Sequence, residues 1–460
     1  MFKRKAVQVF LLILFGFLAT TTWIVLANEP QQQLNRITGF AVNERQIHLP
    51  TVKTTVEGLE LRPQFGNRTE HDVFTDGIFA IWWHKDYDLA ADAPILAAQL
   101  NEVRRDSLHE LGLKDPINAL AGVYVNVYIH DEDSDADQYP SEWGNGVGSD
   151  EFDFPYMTLP IGAHNDPINV AHEGFHIFQY NVTNLGYAYE GDSAWFIEAS
   201  ANWYAVWKFH DTMDDAFMEA GIIHSLPFVA LWRSWDNAAF GDPVNWQRET
   251  HQYALHTFLF YLTEVHGVSP LVLTQGFFAE NDELPQEYLY QQIPNLREVF
   301  ADWTARNAAE FAYMTRAQWE RAQREVVDYA DPNDIHPYVA TFTSSGANDA
   351  WFSPPEAQMP RGWSYNVIGV NNRDDTAYTF EFDGMASGSE GADAYFAARV
   401  VVKGASGYQY HIVPLVDGLH GELTVNVTAA DEALFLVITA VPEQFTSSQT
   451  YPYEVRIGQG

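Results

Sequence analysis

Residues Asn169–Phe178 read NVAHEGFHIF, with His172 and His176 four positions apart and Glu173 directly after the first histidine. On an α-helix, side chains at i and i+4 stand one above the other, so two imidazole nitrogens can be aimed at one point. Glu173 lies about 100° further round the helix, beside that point rather than on it, where a carboxylate can take a proton from a bound water. Two ligands and a base in five residues are what a catalytic zinc centre requires of one helix. The competing reading has His172 and His176 satisfied by local hydrogen bonds. Asp166 caps the predicted helix and Pro167 occupies its first turn.

Zinc catalysis needs a third protein ligand from another element and one open position. In WFIEASANW (Trp195–Trp203), Glu198 sits among apolar and aromatic residues with no Lys or Arg nearby in sequence. An unpaired carboxylate buried there would be costly, so a metal or cation must neutralise it, unless it lies on the helix's wet face. One turn on, Asn202 is placed to accept the second N–H of a ligand histidine and fix its tautomer. A separate run, DEDSDADQYPSE, sets Asp131, Asp133, Asp135 and Asp137 at alternate positions with Glu142 at the twelfth. That spacing suits Ca²⁺, although Ala136 stands where a calcium loop has glycine, and a solvated acidic loop is the other reading.

The 460 residues, 47% hydrophobic and 15% aromatic, supply core for two folded domains. Residues 1–27 form a basic start and an apolar run, read as a secretory signal cleaved after Ala27 or as an uncleaved membrane anchor. Either exports the rest, to a secreted, periplasmic or cell-surface location. Residues 28–55 are an extended leader. From 56 to 332 the pattern gives strands at Ile78–His84 and Val123–His130 and an edge strand at Tyr156–Gly162 marked by Pro160. Helices are predicted after Pro94, through the histidine motif, from a cap at Asp192 through Phe209, and across Arg248–Gly267 and Leu296–Val326. From 335 to 460 about eight short alternating runs read as a β-sandwich or jelly roll. The fold class expected is therefore α+β.

There is no cysteine, so disulfides and thiol chemistry are excluded. A formal charge of −37 would be repelled by nucleic acid and by an anionic membrane surface, leaving membrane contact only to an uncleaved anchor.

HEGFH, a gap of 21 residues and then EASA resemble the HExxH…ExxA signature of the gluzincin zinc metallopeptidases. The order of predicted elements between about residues 75 and 270 is similar too. The resemblance implies a zincin-like metallopeptidase domain, a small mixed sheet with a helical subdomain, whose cleft lies beneath the edge strand. It implies that His172, His176 and Glu198 ligate Zn²⁺ and that Glu173 is the general base. Tyr156, Met157, Thr158 and Leu159, on the predicted edge strand, would pair with an extended peptide or protein substrate by β-addition, unless they form an ordinary edge strand with no such role. Tyr253 or His251 would stabilise the oxyanion, unless both only hold their own helix together. Two features depart from the family: Asn202 stands where some members carry an acidic residue, and Gly174 weakens the motif helix by up to about 1 kcal/mol relative to Ala. Close approach of another backbone would account for that glycine. A monomer is expected. The readings from other classes are an inactive zincin fold serving as an adhesion or binding protein, and a zinc hydrolase of non-peptide substrates.

Overall fold

Alternation along FAIWWH sorts its side chains onto two faces. Phe79, Ile81 and Trp83 enter the main core, while Ala80 and Trp82 join Tyr128 on the opposite side. The computed structural model describes residues 58–65, 69–131, 145–209, 220–234, 247–279, 282–309, 336–343, 350–371, 376–428, 430–445 and 449–459. In it this segment is β2 (Phe79–His84) of a five-stranded sheet with β1 (His71–Asp76), β3 (Val125–His130), β4 (Gly146–Ser149) and β5 (Pro155–Pro160), ordered β1-β2-β3-β5-β4. β2, β3 and β5 run parallel; β1 and β4 are antiparallel to their neighbours.

The predicted edge strand is therefore an inner one. Tyr156, Met157, Thr158 and Leu159 lie in β5, between β3 and β4, and among the described residues the edges belong to β4 and, at the far end, β1. Four residues, GVGS, carry no apolar alternation that would mark β4 in the sequence.

The helices are α1 (Ala93–His109), α2 (Ile117–Leu120), α3 (Pro167–Gln179), α4 (Ala194–Phe209), α5 (Ala220–Ser225), α6 (Gln247–Ala254), α7 (His256–Phe260), α8 (Pro270–Gln275), α9 (Pro285–Gln292) and α10 (Leu296–Ala308). α1 buries Leu96, Leu100, Val103 and Leu108 along one face and contacts α3. α4 is apolar nearly all round because α3, α6 and α7 surround it. Its onset is Ala194, after a 3₁₀ turn over Gly191–Ser193, so Asp192 is not its cap. The single helix expected to end at Gly267 is divided into α6, α7 and a π turn over Tyr261–Val265. At the break, Thr257 Oγ1 donates to the Ala254 carbonyl at 2.9 Å and His256 Nδ1 meets the Tyr253 carbonyl at 2.8 Å. Such side-chain bonds compete with the helical ladder. Beyond Ala308 the expected long helix and the domain boundary fall largely in residues 310–335, outside the described residues.

The C-terminal strands are β6 (Ala340–Thr343), β7 (Ser364–Asn371), β8 (Thr376–Gly384), β9 (Phe396–Gly404), β10 (Gly407–Val413), β11 (Leu415–Val416), β12 (His420–Val427), β13 (Ala433–Ala440) and β14 (Tyr453–Gln459). They form two sheets, β10-β9-β13-β7-β6 and β11-β12-β8-β14. One core lies between them, with Phe380, Phe396, Val400, Leu436 and Val455. The other face of the five-stranded sheet carries Trp363, Tyr365, Val367, Val401 and Val437 into the same core as the helices. There Phe300 and Trp303 of α10 meet Trp363 and Tyr365 edge-on, at ring separations of 5.2 and 6.4 Å. The whole is α+β, with several sheets and a central helical layer. Among the described residues no helix is long and apolar enough to cross a membrane, and residues 1–57 lie outside them.

Candidate metal centre

α3 starts as its sequence predicts: the Asp166 carboxylate accepts the Asn169 N–H at 3.1 Å and Pro167 takes the first helical position. One turn apart on it, the His172 and His176 rings stand at 88° to one another with their Nε2 atoms 3.1 Å apart. α4 lies against α3 and brings Glu198 to them, its Oε2 3.2 Å from His172 Nε2 and 3.3 Å from His176 Nε2. All three are buried.

Ligands at tetrahedral corners, with bonds of about 2.0–2.1 Å, stand about 3.3 Å from one another. The three observed sides, 3.1, 3.2 and 3.3 Å, fit that spacing. A second observation agrees: Glu198 Oε2 is buried without a hydrogen-bond partner although two ring nitrogens are this close. The three atoms close a triangle whose centre a shared cation could occupy. Glu173 is buried beside them, with a carboxylate oxygen within 4.8 Å of a donor nitrogen on each histidine. The buried group His172, Glu173 and His176 could hold a metal ion, and the triangle with Glu198 offers a third ligand from the second helix in place of Glu173.

Neighbours orient His176 and Glu198, whereas His172 Nδ1 is buried with no hydrogen-bond partner. Gln179 Nε2 donates to the Ile197 carbonyl at 3.0 Å and to Ser200 Oγ at 2.8 Å, which leaves its Oε1 to accept His176 Nδ1–H at 2.5 Å. The His176 tautomer is thereby set, with the Nε2 lone pair directed into the triangle. Asn202 does not do this work; it donates from Nδ2 to the Tyr253 carbonyl at 3.2 Å. Tyr189 donates its hydroxyl to Glu198 Oε1 at 2.5 Å. Neither Gln179 nor Tyr189 was singled out by the sequence. Gln179, three residues after His176 on the same helix face, carried a readable signal; Tyr189, between two 3₁₀ turns, carried none.

Electrostatics reflect this crowding. Burial raises the Glu173 pKa, and the nearby Glu198 adds to the rise against the two imidazoles. Burial would raise Glu198 as well, but His176 and His172 overturn it and hold the carboxylate well below its usual range. Burial opposes a charged His176, and Glu198 outweighs it, pushing the imidazole up to about 9.

A cavity of about 370 Å³ opens over Glu173 and the ligands. Its walls include Gly146 and Val147 of β4, Tyr180 at the end of α3, Tyr189, and Tyr253, whose ring lies 6.0 Å from that of His172. One edge of the sheet thus borders the site through β4. His251 does not line this cavity: it is buried with Nδ1 on the Arg233 carbonyl at 3.1 Å. Of the acidic run, Asp131 ends next to β3, while Asp133, Asp135, Asp137 and Glu142 lie outside the described residues. Gly174 is explained by side chains rather than backbone: a Cβ there would meet Leu100 Cδ2 at 3.1 Å and the Val103 methyls at 3.3 and 3.4 Å, both on α1.

A comparison with curated proteins gave no match. Among solved structures, one similar chain is BtGH115A, a family GH115 4-O-methyl-α-glucuronidase with specificity for decorated arabinogalactans. The identity is 9%, with 75% of this chain and 52% of that enzyme covered, and the TM-score of 0.16 carries no structural argument. The chain therefore spans about half the length of that enzyme. The model of a family of unknown function, DUF6055, matches residues 85–459, and the chain belongs to that family.

Proposed function

We propose that the protein is an exported, zinc-dependent metallopeptidase with a zincin-like catalytic half and an accessory β-sandwich. The observation that carries this reading is the convergence of His172, His176 and Glu198, from two helices, at tetrahedral ligand spacing, with Glu173 beside them at the floor of an open cavity. A purely structural metal site would have no use for that glutamate.

When bound, zinc supplies Lewis acidity toward a carbonyl and a water. Glu173 takes the water's proton and later returns it to the leaving nitrogen, and its burial favours a carboxyl that can carry a proton between the two steps. Glu198 as a ligand would be kept ionised by the bound cation itself, since a metal-ligating carboxylate is deprotonated. Burial raises the Tyr253 hydroxyl well above 10, and the carboxylates of Glu198 and Glu173 add to it. The phenol therefore remains a donor at any working pH and can stabilise an oxyanion forming near His172. The free edge of β4 is where an extended substrate backbone can add as a further strand.

The test compares wild type with Glu173→Gln for zinc content and for hydrolysis of an unstructured protein, with and without chelator. The expected result is unchanged zinc content and hydrolysis lowered by at least about a hundredfold, within the usual worth of a general base. Equal hydrolysis by the two proteins would remove Glu173 from the chemistry, and a wild type without zinc would remove the metal.

A further inference from the structure

We infer that Tyr189 is a positioning residue of the metal centre, which holds one oxygen of Glu198 so that the carboxylate offers the metal the other oxygen alone. This rests on the zinc reading above.

The two oxygens of Glu198 have different surroundings. Oε2 faces the two imidazoles at 3.2 and 3.3 Å and has no hydrogen-bond partner; Oε1 accepts the Tyr189 hydroxyl at 2.5 Å. Gln252 Nε2 donates to that same hydroxyl oxygen at 3.4 Å, which occupies a lone pair and leaves the phenolic proton for Glu198. Tyr189 belongs to neither ligand-bearing helix. It stands between 3₁₀ turns over Leu185–Tyr187 and Gly191–Ser193, and its chain neighbours are tied down by Ser193 Oγ, which bonds the Ala188 and Glu190 carbonyls at 2.6 and 2.8 Å. A hydroxyl fixed from outside α4 can therefore set the rotation of the carboxylate about its last bond, which α4 alone cannot do. A carboxylate free to turn can chelate with both oxygens and fill the corner that catalysis needs vacant.

Zinc affinity of the full chain tests this directly. Wild type and Tyr189→Phe, stripped of metal, are titrated with zinc against a chromophoric chelator. The expected zinc Kd of Tyr189→Phe is 10- to 100-fold weaker, the usual cost of losing a group that orients a ligand. In a Glu198→Ala background the same change should leave the remaining affinity unaltered, because the hydroxyl acts only through that carboxylate. X-ray absorption on zinc-loaded wild type needs no variant and should find one Glu198 oxygen on the ion. A Tyr189→Phe Kd within about twofold of wild type, or tighter, overturns the inference, as does a weakening that persists without Glu198, or two Glu198 oxygens on the ion. If wild type itself takes up no zinc, the function proposed above falls with it; if wild type binds and only these comparisons fail, that function stands.

Discussion

Acidification from pH 7.5 to 5 is expected to cost the folded protein about 2 kcal/mol through His251 alone. Burial pushes this imidazole down from 6.5 to about 4; the Arg233 carbonyl on its Nδ1 opposes the shift and the Arg233 cation adds to it. A base whose folded pKa is the lower one is protonated first in the unfolded chain. Its neutral burial is therefore harmless above 6.5, costs stability as the pH falls through 6.5, and costs no more below about 4. At pH 5 the unfolded ring is nearly all charged and the folded ring nearly all neutral, so roughly 1.5 pH units at about 1.4 kcal/mol each apply. The assay is urea unfolding of wild type and His251→Asn at several pH values in that range, with zinc content and hydrolysis measured at pH 7.5. The amide of Asn can keep the bond to the Arg233 carbonyl but does not titrate. The variant should start less stable, by about 1–2 kcal/mol for lost packing, yet lose about 2 kcal/mol less on acidification. It should keep its zinc and its activity. Parallel pH dependence in the two proteins would refute the linkage, and lost hydrolysis with zinc retained would return His251 to the chemistry.

Gln179→Leu removes the acceptor that fixes the His176 tautomer and should weaken zinc binding about 10- to 100-fold, read by the same chelator competition. Tyr253→Phe should leave zinc content unchanged and lower kcat by about 10²-fold, with KM little altered, if the hydroxyl acts only on the developing oxyanion; a change confined to KM would assign Tyr253 to substrate binding.

What the sequence made readable had local causes. The α3 cap at Asp166, the proline after it and the i, i+4 histidines are all written within eleven residues, and the structure places each as its spacing implies. Glu198 was legible because a carboxylate among Trp195, Phe196 and Trp203 needs a partner. The partners themselves were harder to find. Asn202 was chosen for being one turn beyond Glu198, but that turn points it at the Tyr253 carbonyl, while Gln179 on the other helix reaches His176. Tyr189 comes from an irregular stretch, where no period says which way a side chain faces. β4 is silent in the sequence where β5 is conspicuous: two glycines in four residues leave no apolar alternation, so β5 alone is visible and reads as the outer strand.

β9, central in the five-stranded C-terminal sheet, is wetted on neither side, because its run Phe396–Val402 is buried at every position. One flank of that sheet meets its sister sheet; the other meets α10, where Arg399 reaches Glu298 and Asp302 at 2.5 and 2.9 Å. A part so mortised cannot be traded between proteins as a loose appendage, since any recipient would have to supply the aromatic shelf of Phe300 and Trp303. Recombination would leave the helices that bear His172 and Glu198 and the sheet to travel as one heritable piece, and the family's matched span, residues 85–459, takes in both.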